Sequence, residues 1–182
     1  MNLISHFHTI REFLPDMLES GQGTIVTLAS VLGYLGCAQL CKYYDNACKA
    51  LIAKFLLADY TAAKAGLIAM HASLREELRY SGNPAAANIS TILVAPGQLS
   101  TSLFGGIRTP SQFLAPVVEP VELAKEIVAM VDSGRSGEIR VPFYAEWIPV
   151  LQALPAGLQR VIRSWSGLDR AMLQSVQRPK RA

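Results

Sequence analysis

Apolar residues recur at three- and four-residue steps between roughly Leu3 and Glu19, at Ile4, Phe7, Ile10, Phe13 or Leu14, and Met17. That spacing gathers them on one helical face. Gly21-Gln22-Gly23 interrupts it, and Thr24 to Ser30 (TIVTLAS) follows as a short, nearly all-apolar, β-branched run. Such a run predicts a central parallel strand covered on both faces. The next helical pattern extends from Tyr60 to about Tyr80. Asp59 is placed to cap it, Ala62, Ala63, Ala65, Gly66 and Ala69 allow close packing, and Ser81-Gly82-Asn83-Pro84 ends it. Asn88 to Ala95 (NISTILVA) predicts a second buried strand, closed by Pro96-Gly97. Glu119 and Pro120 open a further helix to about Val131, and Glu138 to Phe143 predicts a third strand. From Trp147 onward, Val150, Leu151, Leu154, Leu158, Val161, Ile162, Trp165, Leu168 and Met172 trace an amphipathic helical region interrupted by Pro149 and Pro155. It is expected to cover core, with a membrane-surface or substrate-lid role as the alternative. Helices alternating with apolar strands predict an α/β layered sheet with right-handed crossovers.

Composition narrows the class. Of 182 residues, 51% are hydrophobic and 17% charged, which suits one globular domain with a sizeable core. The net charge of +3 is spread thinly apart from Arg178, Lys180 and Arg181, so nucleic-acid binding gains no support. Cys37, Cys41 and Cys48 fit neither a secretory disulfide framework nor a zinc spacing, and no signal peptide is evident. A reducing, cytoplasmic setting is expected. No apolar run approaches the length of a membrane-spanning helix. His6, His8 and His71 have no carboxylate or cysteine partners at ligand spacing and are assigned to packing or surface, so no metal site is expected.

The candidate chemistry begins at Tyr60-Thr-Ala-Ala-Lys64, whose phenol and ammonium project from the same face of one helix. A free phenol titrates near ~10, and a neighbouring cation favours the phenolate, bringing such a group towards proton transfer at neutral pH. Ser30 stands at the C-terminal end of its strand, where open α/β sheets bind ligands and a hydroxyl can hydrogen-bond a developing oxyanion. In order, IVTLAS, DYTAAKAGL and LVAPGQLST resemble the active-site strand, the YxxxK helix and the PG motif of short-chain dehydrogenases/reductases, over nearly the whole chain. The resemblance implies a partial Rossmann-like, doubly wound parallel sheet and a nicotinamide cofactor, NAD or NADP. It implies Tyr60 as general acid/base, Lys64 as the residue that binds the nicotinamide ribose and supports the tyrosine, and Ser30 as the hydroxyl that orients the substrate oxygen. Asn2, in MNLISHF, is similar to the family's catalytic asparagine, and Pro96, Gly97 and Thr101 resemble its cofactor-binding segment, Thr101 towards the carboxamide. The stretches around TIVTLAS, TPSQFLAPVVEPVELAKEIV and EIRVPFYAEWIPVLQALP are similar to microsomal retinol dehydrogenases and lipid-droplet hydroxysteroid dehydrogenases. That implies a lipophilic retinoid-, steroid- or lipid-like alcohol or carbonyl substrate, with an endoplasmic-reticulum or lipid-droplet surface as an alternative setting.

Two departures from the family qualify this expectation. The chain has no TGxxxGxG turn and no NAG motif, so residues 1–182 are expected to form a single incomplete catalytic domain, with 144–182 a helical extension and one sheet edge bare and apolar. Weak catalysis or none is expected, the alternative being a noncatalytic chain acting through protein contacts, a homodimer included, or at a membrane surface. Ser30 and Tyr60 are also 30 residues apart, more than twice the family's usual spacing. The excess falls within Cys41 to Ala58 (CKYYDNACKALIAKFLLA). Reverse translation allows fungal-type intron signals at Cys41-Lys42-Tyr43, Leu51-Ile52 and Leu57-Ala58, and excision would give AQLSDYTAAKAGL. A retained intron is therefore expected there; if translated, the segment is expected as a poorly packed excursion beside the active site, displacing Ser30 relative to Tyr60.

Overall fold

The computed structural model describes residues 2–35, 48–101 and 116–166, with backbone alone at 48–59, 163 and 166. The first apolar stripe forms helix α1 (Ile4–Ser20), which ends where Gly21 turns left-handed at φ 68 and its N–H bonds the Met17 carbonyl. Strand β1 follows (Gly23–Leu28), and Ser30 leaves it to cap a single 3-10 turn over Val31–Gly33. Helix α2 spans Cys48–Tyr80. Strand β2 (Ile89–Val94) is buried at every residue. Helix α3 (Pro120–Asp132), strand β3 (Gly137–Ile139), a 3-10 turn (Phe143–Trp147) and helices α4 (Ile148–Ala153) and α5 (Ala156–Ser166) complete the described residues.

The described sheet has the order β1-β2-β3, parallel throughout, with Gly23 opposite Ile89, Leu28 opposite Val94, and Val94 opposite Ile139. The two-residue period of β2 feeds both layers. Ile89 and Leu93 join cores with Leu67, Met70, Leu74 and Leu78 of α2, which Ile10, Leu14 and Met17 of α1 help to close. Ile92 and Val94 face the other way, onto Leu123 of α3 beside Ile139. Complete burial of side chains such as Leu67, Ile92 and Ile139 stabilises by about 1.5–3 kcal/mol each.

Several expectations need correction. Asp59 does not cap α2, because the backbone is already helical from Cys48 and a cap requires a residue outside the helix. The run ALIAKFLLA is made of good helix formers, so the helix propagates through it. The backbone of residues 48–58 forms the first turns of α2; their side chains, and residues 41–47 altogether, lie outside what is described. Strand β1 is not covered on both faces: Thr27 is buried under α2, whereas Val26 and Leu28, on the α3 side, are 39% and 46% exposed. Among the described residues β1 is also the outer strand of the sheet. Strand β3 stops at Ile139, short of Phe143, since Pro142 has no N–H for a ladder and the chain winds into a 3-10 turn. Pro149 sits in the first turn of α4 without breaking it, and Pro155 separates α4 from α5.

Candidate active site

The parallel ladder continues past the formal strand ends, and this continuation builds the site. The Ala29 N–H donates to the Val94 carbonyl at 2.7 Å and Val31 N–H to the Pro96 carbonyl at 3.0 Å. On the other side Ala95 N–H donates to Ile139 and Gly97 N–H to Val141, at 2.8 and 2.7 Å. Ser30 and Pro96-Gly97 are thus held side by side at the C-terminal ends of β1 and β2, where a parallel sheet leaves its ligand crevice. Ser30 is buried; its Oγ accepts from the Leu32 N–H at 3.2 Å and donates to the Pro96 carbonyl at 3.4 Å. The second contact is at the long limit of a hydrogen bond.

Helix α2 reaches the same place through Lys64. Its Nζ donates to the Leu28 carbonyl at 2.6 Å and lies 5.6 Å from the centroid of the Tyr60 ring, one turn earlier. Burial pushes the Lys64 pKa below its ordinary value. Gly33 marks the second contact: a Cβ there would stand 2.8 Å from the Lys64 carbonyl carbon and 2.9 Å from its oxygen, so only glycine lets the turn lie on the helix. Segment 28–33, with Ser30 at its middle, is therefore fastened to Lys64 at both ends. The long separation between Ser30 and Tyr60 in sequence does not part the turn from the YxxxK helix.

Helix α1 meets the same stretch of α2, with Leu3 filling the space a Cβ on Gly66 would need. His6 is half-buried, its pKa lowered by burial and then by the charge of Lys64. Asn2 lies just ahead of α1 and is exposed. Thr101 is half-buried beyond Pro96-Gly97, its N–H donating to the Leu99 carbonyl at 2.8 Å. The structure brings Ser30, Tyr60, Lys64, Pro96 and Gly97 to one end of the sheet.

One residue beside the site escaped sequence reasoning. A Cβ on Gly97 would stand 2.3 Å from the Tyr144 hydroxyl, so that phenol fills the space above the PG turn. Burial raises the Tyr144 pKa, with a hydrogen bond from the Gln98 backbone acting in the opposite sense. It stays protonated as a packing and hydrogen-bonding group. The signal was an aromatic residue at the close of the expected third strand, the first position of the expected helical extension 144–182. A cleft of about 440 Å³ bounded by Arg75, Arg79, Asn83, Thr91 and Ser136 opens at the opposite, N-terminal end of β2 and contains none of the sequence-predicted residues. Among the described residues no group of His, Cys, Asp and Glu side chains could hold a metal ion.

Comparison with known proteins places this arrangement. The family model described as short chain dehydrogenase matches residues 1–58. An uncharacterized oxidoreductase, TDA5, of Saccharomyces cerevisiae is 37% identical over 169 residues, covering 93% of this chain and 46% of that protein. Retinol dehydrogenase 10 of Homo sapiens is 33% identical over 122 residues, covering 67% of this chain and 30% of its own length. This chain thus spans less than half the length of either relative. A crystal structure of a short chain dehydrogenase from Burkholderia cenocepacia J2315, in complex with NADP, superposes with a TM-score of 0.60 at 20% identity, covering 90% of this chain and 56% of that one. That likeness establishes the Rossmann-type α/β fold.

Proposed function

The chain belongs to the short-chain dehydrogenase/reductase family, and from that premise we propose that it carries the proton-handling half of an NAD(P)-dependent oxidoreductase acting on a lipophilic alcohol or carbonyl compound. The observation that supports this most directly is the double fastening of the Ser30 segment to Lys64, one helical turn from Tyr60. A nicotinamide cofactor bound here would supply or accept the hydride. The residues present suit its nicotinamide-ribose end: the Lys64 ammonium, the Tyr60 hydroxyl and the half-buried Thr101 beyond Pro96-Gly97 offer hydrogen-bonding groups at the strand ends. Tyr60 exchanges the proton with the substrate oxygen, Ser30 directs its hydroxyl at that oxygen in place of the long contact to Pro96, and Lys64 keeps a positive charge beside the phenol. Asn2, exposed just ahead of α1, is assigned the role of the family's catalytic asparagine in holding a proton-relay water.

These 182 residues carry no TGxxxGxG turn for the pyrophosphate. On this reading residues 1–182 act as one catalytic unit, 144–182 being its helical extension, and bind nicotinamide cofactor weakly on their own. The name of retinol dehydrogenase 10 supports a lipophilic substrate class. The test is reduction of NAD⁺ or NADP⁺ at saturating cofactor with retinoid and steroid alcohols. Tyr60→Phe is expected to lower turnover by about 10²–10⁴-fold with the fold intact; unchanged turnover in that variant would overturn the assignment. Tight, stoichiometric cofactor binding by calorimetry would overturn the weak-anchoring part alone. A second reading, a noncatalytic chain that pairs with another protein or a second copy, is favoured by the exposed Val26 and Leu28 beside the outer edge of β1. A defined dimer that ignores cofactor would support it.

A further inference from the structure

Helix α5 carries Leu158, Val161, Ile162 and Trp165 at steps of three, one and three, so all four fall on one side of the helix. All four are exposed, Val161 at 66% and Trp165 at 94%. Scattered exposed apolar side chains need no explanation, but a contiguous helical face of them does. Within α5 itself the charged residues are Arg160 and Arg163, both basic, while Glu146 and Asp169 lie beyond its ends in sequence. We propose that α5 docks on an anionic phospholipid surface, its apolar face lying in the interface plane, with Trp165 at headgroup level and Arg160 reaching phosphate or carboxylate groups. No helix among the described residues is long and apolar enough to cross a membrane.

The docking helix is tied to the crevice. Gln159 Nε2 donates to the carbonyls of Gln152 and Leu154 at 2.9 and 2.7 Å, fastening α5 to the end of α4. Gln152 in turn donates to the Tyr34 carbonyl, and Ile148 is buried against Val31 and Ala145. Val31 follows Ser30 directly. A lipid-seated α5 therefore sets the strand-end crevice close to the phase from which a lipophilic substrate would come. Lipid docking itself stands on α5 alone; only its use for substrate delivery rests on the function proposed above.

The test is flotation of the 182-residue chain, without cofactor or substrate, with phosphatidylcholine vesicles and with phosphatidylcholine–phosphatidylserine vesicles. The chain is expected to float with the anionic vesicles and to do so less at high salt. Arg160→Gln is expected to weaken partitioning about fivefold. Val161→Glu, which removes a buried aliphatic contact and adds a repelled charge, is expected to weaken it roughly tenfold or more, with circular dichroism unchanged. In a Trp147→Phe background, Trp165 fluorescence is expected to shift to the blue and to be quenched by brominated lipid. No partitioning into anionic vesicles, or equal partitioning by Val161→Glu, would overturn the proposal. So would a dimer that Trp165→Glu dissolves in a chain that ignores vesicles. Vesicle binding without turnover would leave the docking surface standing and count against the oxidoreductase reading only.

Discussion

His71 offers a direct measure of how the sheet holds helix α2. It is 1% exposed on the inner side of α2, with Nδ1 2.8 Å from the Thr27 Oγ1 of β1 and Nε2 buried without a partner among the described residues. Burial, assisted by the charge of Arg75 one turn along, lowers its pKa from 6.5 to about 4. A base that holds its proton less tightly when folded contributes nothing unfavourable above its unfolded pKa, and destabilises progressively as pH falls from 6.5 towards 4. At pH 5 the linkage is worth about 1–2 kcal/mol, the lower end allowing for water reaching the protonated ring. Set against a typical domain stability of about 5–15 kcal/mol, the loss is readily seen in urea unfolding followed by circular dichroism. Carboxylates also titrate in this range, so the comparison is with His71→Gln, which has no titrating group at that position. The variant is expected to be less stable at pH 7.5 yet to have a flatter pH dependence between 6.5 and 5. Parallel curves for the two proteins, or a stability that rises as pH falls through this window, would refute the burial argument.

Two further outcomes follow from the contacts at the crevice. Gly33→Ala is expected to destabilise by about 1–3 kcal/mol, because its Cβ would stand under 3.0 Å from the Lys64 backbone; an unchanged thermal midpoint would show that the turn does not rest on α2. Lys64→Met removes the bond to the Leu28 carbonyl, and hydrogen exchange at Leu28 to Gly33 should quicken in that variant while exchange in β2 stays as it was.

The strongest sequence signals were local and periodic, and the structure returned them. The stripe through Ile10, Leu14 and Met17, the unbroken apolar run of β2 and the helix opened by Pro120 each needed only their own residues to be read. Errors arose where a neighbour decides the outcome. Asp59 has the chemistry of a cap, yet the helix-forming run before it carries the helix upstream, and capping preference is too weak to stop that. Tyr144 was invisible as a site residue because its role depends on Gly97, which meets it only after β3 has turned back. The spacing of Tyr60 and Lys64 places both on one face of a helix, but only the order of the motifs singles the pair out. Ser30 became meaningful only through the order of three motifs, because a serine at a strand end is otherwise an ordinary cap, and capping the turn at Val31 is one of the things it does.

The uncovered side of β1, on the outer strand of the described sheet, bears on the site. TIVTLAS reads as a strand buried on both faces because its side chains are apolar throughout, yet α3 covers only the β2 and β3 side chains and leaves Val26 and Leu28 in solvent. An apolar face on an outer strand is costly to leave open. Leu28 is also the residue whose carbonyl holds Lys64, two positions before Ser30. Whatever chain or surface covers Val26 and Leu28 therefore acts on the backbone that fastens the Ser30 turn to the Tyr60 helix. Burial of that face and the alignment of Ser30, Tyr60 and Lys64 are one structural problem, and a protein with the face covered should hold these three residues more rigidly than one with it open.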